Sequence, residues 1–236
     1  MTHLQIDPGA AERWRGFEKT KAYDFLAATP VIVWYSFSIA NMVPGLLHEL
    51  SQNPPGRFDR HLAVSVLARA AAIVFIGLAL ILLAVRRPPK AKAKGLLPRI
   101  SAFAGAYLMV AVVWLPPQPT NVMLSFTSLV LIFGGVCFSI FALCHLGRSF
   151  SLMPEARQLV TDGPYAVVRH PLYLGEAIST LGLMLQYLSP LGVAIVALQL
   201  SFQFQRIKHE EKVLSSLFPE YESYRIQTAR LVPGIY

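Results

Sequence analysis

Charge is scarce in this sequence. Asp, Glu, Lys and Arg make up only 14% of its 236 residues, against about 25% in a soluble domain. That deficit argues against a water-facing surface all round and points to the bilayer. Cysteine is scarcer still. Cys137 and Cys144 are the two present, seven apart on one apolar run, where nothing calls for a disulfide and both read as small packing residues. Several signatures are missing. Without Gly-x-Gly-x-x-Gly or a phosphate loop, any nucleotide cofactor must be held without a Rossmann turn. Without Gly-x-Ser-x-Gly, Ser–His hydrolysis lacks its nucleophile elbow. His170, His209, Glu210 and Glu211 are metal-ligand types, but no His-Glu-x-x-His spacing joins them and no metal is expected. The first 24 residues are too polar for a cleavable signal peptide.

What the sequence does have is apolar runs: Phe25–Leu47, Leu62–Val85, Ile100–Leu115, Val122–Leu146, Leu172–Leu188 and Leu191–Phe204. A spanning helix takes roughly 20 apolar residues. The first, second and fourth runs meet that length, whereas the third and the last two are short. The cations sort by loop. All of the 21 Lys and Arg except Arg57, Arg60 and Arg69 fall in the N-terminal arm, the second and fourth loops, or the tail. By the positive-inside rule both termini are then cytoplasmic. The last two runs leave and return to that side, crossing fully or forming a shallow hairpin. The net charge of +8 therefore reads as topology and headgroup attraction, with no nucleic-acid partner. Residues 86–99, rich in Lys, Ala and Pro, read as a solvated linker. Arg69, inside the second run, reads as a snorkelling cation outside any site.

Chemistry concentrates after residue 146. Asp162-Gly163-Pro164 is strong turn chemistry. His170-Pro171 predicts a helix start, with Pro at the first helical position and His as its cap. Amide groups at such a start favour an anion. The returning helix ends in Gln203, Gln205, Arg206, His209, Glu210 and Glu211, with Arg206 and Glu210 four apart on one face. Residues 218–224, Phe-Pro-Glu-Tyr-Glu-Ser-Tyr, predict a surface helix laying aromatics back over the site. By residue type alone this inventory fits a zwitterionic nucleoside cofactor, and it fits interface anchoring equally well.

A resemblance goes further. Leu146-Gly147, the stretch Leu159-Val160-Thr161-x-Gly163-x-Tyr165, Arg169-His170-Pro171-x-Tyr173-x-Gly175, Glu210-Glu211-x-x-Leu214, and Phe218 before Tyr221 and Tyr224 occur here in order. Together they resemble the isoprenylcysteine carboxyl methyltransferase family and, more distantly, the membrane phospholipid N-methyltransferases. Phe218 is followed by proline where that family has glycine, and the loop between Gly147 and Arg157 is shorter than in eukaryotic members. Residues before 146 match only in being helical and apolar.

The resemblance implies an S-adenosylmethionine-dependent methyltransferase embedded in the membrane. The expected fold is an all-α polytopic bundle of five or six spans, with the cofactor site at the cytoplasmic face. Its expected parts are an arm over 1–24, four helices over 25–145 and a catalytic region over 146–236. Arg157, Gln158, Leu159, Val160, Tyr165, His170, Pro171, Leu172, Tyr173 and Glu210 correspond to the family's cofactor-binding residues. Arg206 corresponds to its substrate-side residue, which leaves Arg206 and Glu210 as the catalytic candidates. The implied partners are membrane lipids and a lipophilic or lipidated acceptor, with a carboxylate favoured. For an amine or thiol acceptor, His209, Glu211 and Tyr173 become candidate bases. A phospholipid or small-thiol methyltransferase is the alternative, followed by a nicotinamide-dependent membrane reductase.

Overall fold

The computed structural model describes residues 21–52, 60–116, 118 and 121–234. Each apolar run has become a helix: α1 Lys21–Gln52, α2 Arg60–Val85, α3 Leu97–Tyr107, α4 Val122–Leu146, α5 Pro171–Gln186 and α6 Pro190–Leu217, followed by a short α7, Tyr221–Gln227. The chain is mostly helical, 78%, and its two strands are only two residues long. Among the described residues, three helical stretches are long and apolar enough to cross a membrane: Lys21–Gln52, Leu62–Val85 and Val122–Ser149. Phe25, Leu26, Val33, Phe37, Val74 and Ile81 on the first two stand exposed, as expected of side chains that face lipid. Of the cations used for orientation, Arg13, Arg15, Lys19 and Arg57 lie outside the described residues.

The helix ends follow local chemistry. The Asn121 side chain caps α4 by accepting from the Leu124 N–H at 2.7 Å, and Ser189 caps α6 through the Gly192 N–H at 3.1 Å. Pro171 and Pro190 occupy the first turns of α5 and α6, where a missing N–H costs nothing. His170 does hold the cap position of α5, but its side chain makes no capping bond. The short third run is explained by its backbone. After Tyr107 it tightens into a 3-10 turn over Leu108–Trp114, and Pro116 follows.

Helices α4 and α5 pack through small residues. A Cβ on Gly135 would lie 2.6 Å from the Ser179 backbone nitrogen, and one on Gly182 would lie 2.8 Å from the Ser128 carbonyl. The Ser128 hydroxyl donates to the Gly182 carbonyl at 2.7 Å and receives a bond from Gln186 at 2.9 Å. Such seams let apolar helices approach closely where lipid offers no hydrophobic drive. At Gly105, α3 meets α6 in the same way, 3.1 Å from the Gln203 nitrogen to a hypothetical Cβ. The apolar core lies among α2, α4 and α5, with Leu83, Leu143, Phe150 and Leu172 at its centre.

Two expectations need correction. Residues 86–99 leave most of their side chains exposed, but they are not an unstructured linker. β1 (Ala91–Lys92) pairs antiparallel with β2 (Glu155–Ala156), and the Arg87 amide donates to the Arg148 carbonyl at 2.9 Å. Sequence composition gave no hint of this pairing, because its partner lies more than 60 residues away. Cys137 and Cys144 are free and exposed rather than packed, because α4 turns its serine and glycine face inward. Among the described residues α1 begins at Lys21, and the expected arm lies largely outside them.

Candidate functional site

The loop after α4, the start of α5, the last turns of α6 and α7 converge on one cleft. It has about 450 Å³ of empty space, mouth included, and Arg157, Gln158, Leu159, Val160, Tyr165, His170 and Glu210 are among its walls. A neighbouring lobe adds Ser151, Leu172 and Tyr173. The turn chemistry builds its rim. Gly163 sits at φ 57°, and a Cβ there would collide with the His145 ring, so the loop presses onto the end of α4. The Gly163–Ala166 turn then buries Tyr165.

Polar groups in the cleft are tightly held. The Tyr173 hydroxyl donates to Glu210 Oε2 at 2.6 Å. The His170 ring stacks on Tyr173 with centroids 5.5 Å apart. The Tyr224 hydroxyl donates to the Tyr165 carbonyl at 2.6 Å, so α7 closes over the rim as the aromatic pattern of residues 218–224 suggested. The Tyr165 hydroxyl itself is buried and has no partner among the described residues. Burial pushes this phenol well above its ordinary pKa, and the Glu210 charge adds to that. It therefore stays protonated, a donor and acceptor aimed at whatever fills the cleft.

Behind Tyr173 lies a second polar group. Arg206 is 1% exposed, and its guanidinium sits 4.7 Å from the centre of the Tyr173 ring. Its single hydrogen bond among the described residues is a long one, 3.4 Å to the Ser151 carbonyl. Its Nε and Nη1 are buried without partners among those residues. Glu176, one turn along α5 from Tyr173, accepts from the Gln203 side chain at 3.0 Å. The charges of Glu176, Glu210 and Arg206 act on one another, and those of Glu176 and Arg206 also reach Tyr35. Tyr173 thus joins the two regions, lining the cleft with its edge and carrying Arg206 on its ring.

Two ionic hubs hold the walls. Glu211 takes Arg169 at 3.0 Å, His170 at 3.2 Å and Arg230 at 2.8 Å. Burial alone would push its carboxyl up, but the hydrogen bond and charge of His170, then Arg230 and Arg169, outweigh that and lower it to about 2. Glu211 is therefore a structural clamp rather than a base. Asp24, in the first turn of α1, takes Arg86 at 2.8 Å and Arg157 at 2.9 Å, and Arg157 also reaches Glu155 at 2.6 Å. The terminal nitrogens of Arg157 are spent on these carboxylates, so its main chain and stem face the cleft.

Of the expected residues, the structure gathers Arg157, Gln158, Leu159, Val160, Tyr165, His170, Leu172, Tyr173 and Glu210 around the cleft and its lobe. Pro171 is buried at the start of α5 and lines neither. Arg206 stands behind Tyr173. Arg69 pairs with Glu49 at 3.1 Å, away from the site. Sequence reading missed Asp24 and gave Glu176 and Gln203 no role in the site. The available signal was their polarity within apolar helices, where an ionisable group is costly and commonly functional.

Comparison with known proteins fits this geometry. Residues 122–221 match the phospholipid methyltransferase family. The chain is 39% identical over 103 residues to the protein-S-isoprenylcysteine O-methyltransferase of Schizosaccharomyces pombe, covering 40% of this chain and 43% of that protein. It is 37% identical over 78 residues to the cobalt-zinc-cadmium resistance protein CzcN of Cupriavidus metallidurans, covering 33% and 36%. It is 32% identical over 114 residues to protein-S-isoprenylcysteine O-methyltransferase A of Arabidopsis thaliana, covering 45% and 58%. The chain thus spans from little more than a third to under three-fifths of the length of these relatives. The likeness to the isoprenylcysteine carboxyl methyltransferases read from the motifs is upheld.

Proposed function

We propose that this protein is an integral membrane methyltransferase that uses S-adenosylmethionine and modifies a lipophilic acceptor, with a carboxylate as the favoured nucleophile. The observation that carries this reading is a cleft whose free polar groups sit one ring away from a buried, under-bonded arginine. The residues fit the cofactor. The unpartnered Tyr165 hydroxyl and the Glu210 carboxylate suit its ribose and ammonium groups, and the Gln158–Val160 stretch offers main-chain groups to the adenine. When bound, the cofactor supplies an electrophilic methyl on a sulfonium.

The chain's own residues then have separable tasks. His170 and Tyr173 form a flat wall that keeps water from the reacting centre, and Glu210 is fixed in place by the Tyr173 hydroxyl. Arg206 offers two free N–H groups to the acceptor, a geometry suited to a carboxylate. Such an acceptor is already ionised at neutral pH and gives up no proton. Glu211, clamped by Arg169, Arg230 and His170, is in no position to serve as a base, which agrees with a nucleophile that needs none. Alignment of the reacting atoms is then the main catalytic contribution. The relatives named protein-S-isoprenylcysteine O-methyltransferase support an acceptor that is lipidated.

In the bilayer, the reading places five or six helical spans in total, both termini on the cytoplasmic side and the cleft facing that side. The transfer region comprises residues 146–236, framed by the helices of 25–145, beyond an arm that ends near residue 24.

The test is calorimetric binding of S-adenosylhomocysteine to the detergent-purified full chain, wild type against His170→Ala and Glu210→Ala. Binding that is lost in both variants is expected. A folded wild type that ignores S-adenosylhomocysteine and binds NADPH would overturn the proposal in favour of a reductase. Methylated headgroups in lipid extracts of the host would shift it to phospholipid N-methylation.

A further inference from the structure

The segment between α2 and α3 carries more charge than the ionic frame uses. Residues 86–99 hold six cations, Arg86, Arg87, Lys90, Lys92, Lys94 and Arg99, and no Asp or Glu. Arg86 is buried against Asp24, and Lys92 lies 3.8 Å from Glu155. Arg87, Lys90, Lys94 and Arg99 are exposed and pair with no carboxylate among the described residues.

Position tells what these cations meet. The membrane-length stretch of α2 ends at Val85, so residue 86 stands where the chain leaves the apolar layer. Leu96 and Leu97, beside the cations at the start of α3, are exposed. Cations fringed by exposed apolar side chains suit a surface of anionic headgroups. An acidic soluble partner would account for the cations and not for the leucines.

The segment also has a place for one headgroup. Arg87, Pro88 and Lys90 line an open depression together with Arg157 and Gln158, about 800 Å³ of empty space with its mouth included. The Lys90 ammonium stands 5.7 Å from the centre of the Phe218 ring, at the end of α6. Gln158 is a wall both of this depression and of the cofactor cleft. Main chain ties the two together. The Lys90 amide donates to the Ala156 carbonyl at 2.8 Å, and the Ala93 amide to the Pro154 carbonyl at 2.9 Å.

We propose that Arg87 and Lys90 form a binding site for the phosphate of an anionic phospholipid, and that its occupancy steadies the Gln158 wall of the cofactor cleft. The lipid acts there as a regulator, not as the methyl acceptor. A zwitterionic headgroup brings an ammonium towards the same cations and is disfavoured. The site rests on the membrane placement of α2, and its effect on the cleft rests on the cofactor reading above.

The experiment titrates the full chain in detergent with phosphatidylglycerol and, separately, with phosphatidylcholine of the same acyl chains, following the thermal midpoint. Wild type should prefer phosphatidylglycerol by about tenfold or more, the scale of two surface cations attracting one anionic headgroup. Arg87→Gln with Lys90→Gln should bring that preference near unity, and since both side chains are exposed the double variant should fold. Lys208→Gln with Lys212→Gln removes the same charge from exposed positions on α6 and should leave the preference unchanged. S-adenosylhomocysteine has no net charge, so an anionic surface does not concentrate it. Calorimetry should show its affinity raised about fivefold or more by phosphatidylglycerol, the scale of a modest coupling between sites, in wild type and not in the Arg87, Lys90 variant.

Equal affinity for the two lipids in wild type, equal loss in the two double variants, or the same effect from glycerol 3-phosphate without acyl chains would overturn the lipid site. A preference for phosphatidylglycerol that leaves S-adenosylhomocysteine affinity unchanged would overturn the link to the cleft. Failure of S-adenosylhomocysteine to bind under any condition would refute the cofactor reading and the link with it, while the lipid comparison still decides the site.

Discussion

The Tyr173 hydroxyl donates to Glu210 at 2.6 Å, while the same ring carries the Arg206 guanidinium at 4.7 Å. One side chain thus bonds to the residue proposed to hold the cofactor and supports the residue proposed to hold the acceptor. The two functions separate by substitution. Tyr173→Phe keeps the ring and leaves Glu210 without its donor. We expect S-adenosylhomocysteine affinity to fall by about tenfold, the scale of one charge-assisted hydrogen bond, with acceptor KM little changed. Tyr173→Ala removes both supports and should raise acceptor KM as well. Calorimetry and transfer kinetics on the two variants distinguish the roles, and identical behaviour would contradict this division.

Glu211 gives a pH dependence of known sign. Its carboxyl is lowered from an ordinary 4.5 to about 2, as His170, Arg230 and Arg169 outweigh the effect of burial. A depressed carboxylate contributes stability that is fully present above its unfolded pKa and is lost as pH falls through the folded one. Thermal midpoints should therefore hold steady near neutrality and decline from about pH 4.5 towards 2. Glu211→Gln should unfold at lower temperature at neutral pH and show a shallower decline in the acid range. Scanning fluorimetry in detergent across that range checks both. A variant that tracks wild type at every pH would mean that the clamp contributes little to stability.

How much of this was legible in the sequence follows from distance along the chain. Uninterrupted apolar runs carry their own signal, so all six became helices. The turn at Asp162-Gly163-Pro164 and the start at Pro171 are equally local. The meeting of Tyr173 with Glu210 was readable because one apolar hairpin separates them and returns the chain to the same level. Asp24 was unreadable as a partner of Arg157, since the two stand 133 positions apart and nothing local marks the pair. The 86–99 segment misled for a related reason. Its Lys and Pro content describes its side chains, whereas its pairing with 155–156 is made by the backbone.

Asp24 therefore makes a sharp test of the ionic frame. It is 3% exposed and takes both Arg86 and Arg157, the latter through two hydrogen bonds at 3.1 and 2.9 Å. Removing one partner of a buried pair leaves uncompensated charge, at a cost of about 3–5 kcal/mol. Asp24→Ala should lower the thermal midpoint substantially. It should also weaken S-adenosylhomocysteine binding, because Gln158 directly follows the loosened Arg157. Glu222→Ala is the control. Its partner Arg225 is exposed, as Glu222 is, and such solvent-screened surface pairs contribute little.

The seam between α4 and α5 sets where the cleft begins, because α5 starts at the site and Gly175 lies within its second turn. A Cβ at Gly175 would meet main chain: the Gly135 carbonyl at 2.8 Å and the Ser139 nitrogen at 2.9 Å. Backbone atoms cannot swing aside as a side chain would, so the helices must separate. Gly175→Ala should cost about 1–3 kcal/mol, as overpacking does, and it should displace His170 and Tyr173 at the helix start. Gly134, on the same helix as Gly135, has nothing within 4 Å of the point where a Cβ would stand. Alanine there should be neutral or slightly stabilising, by up to about 1 kcal/mol of helix propensity. The pair shares one chemical change and differs only in what stands opposite. If thermal unfolding and S-adenosylhomocysteine binding respond alike to both substitutions, close packing at Gly175 is not what positions the site.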